Sequence, residues 1–264
     1  MVAHIRSYRG VTRKGAIASV AADLLRPSRA VLASHGEDAA AVAVGDDIML
    51  LAADGIMQDL VQKDPYWAGY CSVLVNVNDI TAMGGLPVAM VDIISCGDPE
   101  VRSQIVRGMA EASDKFGVPV VGGHLHPDTT YSAVDVAVLG RTDRRHLLRS
   151  STARAGDQVL FAMDLDGRFT EGLPYSWDTT SSKSSREVRT LLEAIHKASP
   201  SLTAGKDISN PGALGTLGMM LESSGLGAEV EASLIPMPEG VSPEQWLTAY
   251  QGCGFVLTAR VKDS

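Results

Sequence analysis

Four aspartates, Asp38, Asp54, Asp79 and Asp207, stand where a carboxylate could meet a cation rather than plain solvent. Asp38 follows Gly36-Glu37 and opens Ala39-Ala40-Ala41-Val42, which puts an acid at the mouth of an apolar run, behind a glycine that lets cation and phosphate approach the backbone. Asp54 ends Leu50-Leu51-Ala52-Ala53 and precedes Gly55. An ionised carboxylate at the buried end of a strand is costly unless it is paired or binds a metal. Asn76, Asn78 and Asp79 lie in an otherwise apolar stretch that stops at Gly84-Gly85, and such groups need partners. A bond between Asn76 and Asp79, or from either to nearby backbone, meets that need as well as a ligand does. Asp207, in Lys206-Asp207-Ile208-Ser209-Asn210-Pro211-Gly212, precedes a Gly-rich helix whose first N–H groups favour anions. Ser209 or Asn210 as N-cap, with Pro211 first in the helix, explains the same stretch without a ligand and leaves Asp207 free.

A second constellation competes with the first. Gly122-Gly123-His124-Leu125-His126-Pro127-Asp128 follows an apolar strand and supplies two imidazoles and an acid on a predicted loop. His-x-His is a spacing used by zinc-dependent hydrolases, in which both imidazoles take one metal. Simple alternation along an extended segment produces the same pattern.

The bulk properties narrow the field. A net charge of −8 disfavours binding to nucleic acid or to an anionic membrane, both of which need a basic face. An acidic site that takes a nucleotide therefore needs divalent cations to invert the local field. The three cysteines, Cys71, Cys96 and Cys253, are odd in number, far apart and in apolar surroundings, so free buried thiols are expected. Residues 1–9 lack an apolar run before a small-residue cleavage site, and no stretch reaches the ~20 apolar residues of a spanning helix, which predicts a cytoplasmic protein.

These residues must be positioned by an α/β framework, α+β in detail. Apolar spacing predicts a helix over 16–25 ending at Pro27, strands over 39–44 and 48–53 around Gly45-Asp46-Asp47, a helix over 67–83, a strand over 88–95 and a helix over 99–116. Strands over 118–121 and 133–141 complete the first half. A polar connector over 149–157 marks a boundary between domains 1–150 and 151–264. The second half carries a strand over 158–163, a Ser/Thr-rich loop over 179–185, helices over 186–198 and 213–223, and strands near 228–232 and over 254–261.

Taken in order, Gly36-Glu37-Asp38-Ala39-Ala40, Ala53-Asp54-Gly55, Asn78-Asp79-Ile80-Thr81-Ala82-Met83-Gly84-Gly85, Gly122-Gly123, Arg149 with Gly156-Asp157, and Asp207-Ile208-Ser209 resemble the superfamily of aminoimidazole ribonucleotide synthetase, thiamine-monophosphate kinase and selenophosphate synthetase. The nearest likeness is to an uncharacterised branch related to aminoimidazole ribonucleotide synthetase. The resemblance implies two domains of mixed sheets covered by helices, with the first domains of a homodimer pairing into a β-barrel. It implies Mg·ATP in a groove, with Asp38, Asp54, Asp79 and Asp207 holding two or more Mg²⁺ ions. Asn78, Gly84, Gly122, Gly123, His124 and Asn210 would shape the nucleotide pocket beside those acids. Lys14, on a segment able to close over the nucleotide, Arg149, facing the transferred phosphoryl group, and Asp207 would be the catalytic residues.

The chain also departs from the pattern. The kinase branch has Asp where His124 and Asn210 stand, and no cysteine precedes Cys71, against the catalytic thiol or selenol of the selenophosphate branch. In relatives the strand ending near Thr258 is followed by further helix and strand, so a short second domain is expected. The expected function is an Mg-dependent, ATP-using enzyme that phosphorylates or activates a small substrate by positioning and charge neutralisation. The alternatives are a zinc hydrolase built on His124, His126 and Asp128, and a non-catalytic ATP-binding subunit.

Overall fold

Regular alternation in the first half builds one sheet with a buried and an outward face. The computed structural model describes residues 2–26 and 28–261, so Pro27, the expected helix stop, lies outside the described residues. Three short helices open the chain: α1 (Val2–Ser7), α2 (Arg9–Thr12) and, after a 3₁₀ turn over Arg13–Ala16, α3 (Ile17–Leu24). Then come β1 (Val31–Ala33), β2 (Ala40–Val44), β3 (Asp47–Gly55), α4 (Gln58–Lys63), α5 (Pro65–Ala82), β4 (Leu86–Ser95), α6 (Pro99–Phe116), β5 (Val120–His126) and β6 (Ala133–Thr142). They form a six-stranded sheet in the order β1-β2-β3-β6-β4-β5, parallel only at β4/β5. Ile48, Leu50 and Ala52 of β3 and Val134, Val136 and Val138 of β6 point inward and are buried, as a period of two requires.

Helix α5 packs on that inner face and is buried from Trp67 to Ala82 except at Val75. A helix apolar nearly all round is a core helix, and α5 is covered by the sheet, by α6 and by the second half of the chain. Asp64 caps it through the Trp67 N–H at 2.8 Å. Helix α6 starts on the Asp98 cap with Pro99 in its first turn and ends at Gly117 in the left-handed region, which is why its predicted limits hold.

The second half adds β7 (Asp157–Ala162), β8 (Arg168–Thr170), β9 (Leu173–Asp178), α7 (Ser185–Ala198), β10 (Ala204–Asp207), α8 (Gly212–Ser224), α9 (Pro243–Leu247), β11 (Tyr250–Gln251) and β12 (Phe255–Arg260). Its two sheets run β10-β12-β7 and β11-β9-β8. Gly205 lets β10 lie against the end of α5, since a Cβ there would sit 2.5 Å from the Ala82 carbonyl oxygen.

Several expectations need correction. The strand placed at 118–121 is β5, which begins at Val120 and runs on through Gly122, Gly123 and His124 to His126, so the histidines lie on a strand and not on a loop. Parallel pairing with β4 carries the chain through the two glycines. Residues 228–232 form no strand; a 3₁₀ turn over Ala232–Leu234 follows instead. Within one chain the first sheet is open, with β1 and β5 at its edges. Cys71, Cys96 and Cys253 are free and buried, as expected, and no described helix is long and apolar enough to cross a membrane.

Candidate functional site

Three of the four aspartates converge from separate elements. Asp38 comes from the turn before β2, Asp79 from the last turns of α5 and Asp207 from the end of β10, and one carboxylate oxygen of each lies within 4.8 Å of the others. Among the described residues this is the one cluster of three acid, imidazole or thiol ligands close enough to share a cation. Asp54, expected as a fourth ligand, stands outside that set but near enough for its charge to act on Asp79. It continues the inward side of β3 one step beyond Ala52, past the end of the core, and so emerges in the groove.

The cluster forms the floor of a groove of about 910 Å³. Cys71, Val75 and Asp79, spaced four apart on α5, present one stripe to it. Lys14, on the 3₁₀ turn of the N-terminal segment, is half-buried and also lines the groove, as do Arg149 and Asn210. The N-terminal segment is seated by Gly10, where a Cβ would stand 2.0 Å from the Asn210 carbonyl oxygen. Neither Ser209 nor Asn210 caps α8. Pro211 is at the N-cap with no side-chain bond, and both earlier residues line the groove.

Burial gives the site its electrostatics. It pushes the Asp79 carboxyl well above the usual range, with Asp207, Asp54 and Asp38 adding to the rise. Asp207 is pushed up to about 8 by burial and then by Asp38. Asp38 is raised by burial against the opposing pull of Lys206. Asp54 is raised as well, by burial of its carboxyl against the opposing pull of Lys14, although the residue as a whole is exposed to solvent and its shift counts for less. Acids held this way favour a bound cation, which neutralises them without a proton. An all-carboxylate donor set is hard oxygen and suits Mg²⁺ better than zinc.

Lys206 is a further candidate residue of the groove, one that the sequence motifs did not single out. Its ammonium pairs with Asp38, and the two side chains are only 6% and 5% exposed. Burial works to discharge this lysine, but Asp38, Asp207 and Asp79 overcome it and hold its pKa above the ordinary value. The signal was a lysine beside an acid in a short segment that the fold buries throughout, a place that demands a partner. Tyr175 and Tyr250 were also missed. Both line the groove, and their buried hydroxyls find no partner among the described residues.

Other expected pocket residues lie elsewhere. Asn78 is buried and donates from Nδ2 to the Gly252 carbonyl at 2.9 Å, joining α5 to the second half. Asn76 bonds back to the Ser72 carbonyl, the local solution foreseen for it. The Gly84 carbonyl accepts from His196 and Thr142, which makes that turn a junction behind the groove. Gly122, Gly123 and His124 are exposed on the edge strand β5. His124 and His126 pack ring edge to face with centroids 4.6 Å apart, but with Asp128 they are not gathered into a three-ligand cluster, so nothing here favours the alternative zinc reading.

Residues 36–142 match the family model for the N-terminal domain of AIR synthase related proteins, and residues 166–263 match the model for the C-terminal domain. The chain belongs to the AIR synthase related family. An uncharacterised protein of Methanocaldococcus jannaschii is 43% identical over 267 residues, covering 98% of this chain and 82% of that one. A selenide, water dikinase of Pseudomonas putida is 27% identical, over 86% of this chain and 70% of its own length. In fold the chain is similar to AaThiL complexed with AMPPCP and TMP, with a TM-score of 0.72 at 20% identity over 93% of this chain and 84% of that one.

Proposed function

We propose that the groove binds Mg·ATP and that the protein uses it to phosphorylate or activate a small substrate, in the manner of thiamine-monophosphate kinase or aminoimidazole ribonucleotide synthetase. The convergence of Asp38, Asp79 and Asp207 at the floor of one groove carries this reading. Family membership supports it, as do a dikinase relative and a similar fold solved with a nucleotide analogue.

In this reading Asp79 and Asp207, with Asp38 and Asp54 beside them, hold Mg²⁺. Bound there, the ion neutralises phosphate charge and keeps the buried acids ionised. The chain's own residues do the rest by position. Lys14, whose charge acts on Asp54 and Asp207, lies where it can meet phosphate oxygens from the side of the N-terminal segment. Arg149 lines the groove with a planar cationic fork suited to a phosphoryl group. Tyr175 and Tyr250 line the groove, and a shift of either side chain would offer its unpartnered hydroxyl to a polar substrate. No step requires a protein nucleophile.

The assembly we propose is a homodimer through the outward face of the first sheet. Register places Leu51 beside Leu139, Val91 beside Ala137 and Ile93 beside His124 on that face, and Leu51, Val91 and Ile93 are 46–50% exposed. A second copy of the same face would cover them. Calorimetry with ATP, with and without Mg²⁺, tests the nucleotide reading; no Mg-dependent heat of binding would end it.

A further inference from the structure

Both oxygens of Asp38 already have donors. Lys206 Nζ bonds Oδ1, and the Asp207 backbone N–H bonds Oδ2 at 3.2 Å. The ammonium is carried on β10, whose backbone is held in register by β12, with Lys206 opposite Val256. It is also near enough to Asp79 and Asp207 for their charges to act on it. Lys206 therefore stands at the Asp38 side of the carboxylate cluster as a buried, fixed positive charge.

We propose that Lys206 stands in for one divalent cation, so that the wild-type site takes its nucleotide with a single metal ion rather than two or more. The inference rests on the nucleotide reading above. A lysine ammonium is a compact point charge with three donors. Fixed against Asp38, it neutralises that acid and repels a second cation from the same place, leaving Asp79 and Asp207 as the buried acids that a metal must answer. Replacing Lys206 with an uncharged residue of similar length uncovers Asp38 and opens a second metal position.

The test counts metal. Mn²⁺ is titrated into full-length protein saturated with AMPPCP, and the bound ion is measured by electron paramagnetic resonance. One Mn²⁺ per protomer is expected for wild type and for Lys206→Arg, and two for Lys206→Met. At a Mg²⁺ concentration that suffices for wild type, Lys206→Met should bind AMPPCP about tenfold more weakly, the scale of one charged hydrogen bond, and regain affinity as Mg²⁺ is raised. Wild-type affinity should stay flat once the analogue carries its own ion, a result that decides the matter even if Lys206→Met does not fold. Two Mn²⁺ in wild type, or one in Lys206→Met, overturns the role of Lys206 and leaves the nucleotide reading standing. No metal-dependent AMPPCP binding by wild type overturns both.

Discussion

Lys206 and Asp38, 168 residues apart in sequence, form a buried ion pair that joins β10 to the turn before β2 across the floor of the groove. Removing one partner strands a buried charge, whereas removing both leaves none. Lys206→Met should therefore cost about 3–5 kcal/mol in metal-free protein, and the double change Lys206→Met with Asp38→Asn should recover part of that loss. Urea denaturation of the three proteins measures it. Equal destabilisation by the single and double changes would show that the pair is not coupled.

The acids predict how metal-free stability responds to pH. An unfolded aspartate titrates near 3.8, while folded Asp207 is pushed up to about 8, so between those values the folded protein holds a proton that the unfolded chain has released. This contribution is full at and below about pH 4 and is lost as pH rises through about 8. Thermal melts in chelator should show a Tm that falls from pH 5 to 8 more steeply in wild type than in Asp207→Asn, by roughly the share expected of one shifted carboxyl. Mg²⁺, which favours the ionised acids, should flatten the wild-type slope. A slope unchanged in Asp207→Asn would contradict the assignment.

Asn78 separates structure from ligand binding. Loss of its bond to Gly252 in Asn78→Ala leaves a buried carbonyl unsatisfied and should cost about 1–3 kcal/mol of stability. AMPPCP affinity of the folded variant should stay within about threefold of wild type, under 1 kcal/mol. Unchanged stability with lost nucleotide binding would put Asn78 in the pocket after all.

The outward face of the first sheet predicts the assembly. Sedimentation should give a two-chain mass for wild type and a one-chain mass for Ile93→Asp, which sets a second carboxylate beside Asp135, opposite His124, on that face. A one-chain mass for wild type would remove the dimer.

The sequence was most legible where local chemistry and tertiary packing agree. Asp98-Pro99 and Gly117 bound α6 with their own side chains and backbone, so its limits could be read directly. Asp38, Asp54, Asp79 and Asp207 stood out because acids beside apolar runs need a partner wherever the chain folds. Legibility failed where pairing overrides local preference. Gly122-Gly123 reads as a loop, yet β4 recruits it into an edge strand. The short strands β8, β9 and β11 owe their places to distant contacts, such as Trp67 Nε1 to Ser176 Oγ at 2.9 Å, which no local pattern announces. Lys206 was hidden for the same reason, because its partner lies in another element altogether.

The most direct measurement is calorimetric titration of full-length protein with ATP in Mg²⁺ and then in chelator, repeated with Asp79→Asn. Saturable binding of one ATP per protomer is expected in Mg²⁺, with loss of that binding in chelator and a loss of about tenfold or more for Asp79→Asn, which removes one buried charged ligand. Equal binding with and without Mg²⁺, or full affinity in Asp79→Asn, would contradict Mg·ATP binding in the groove.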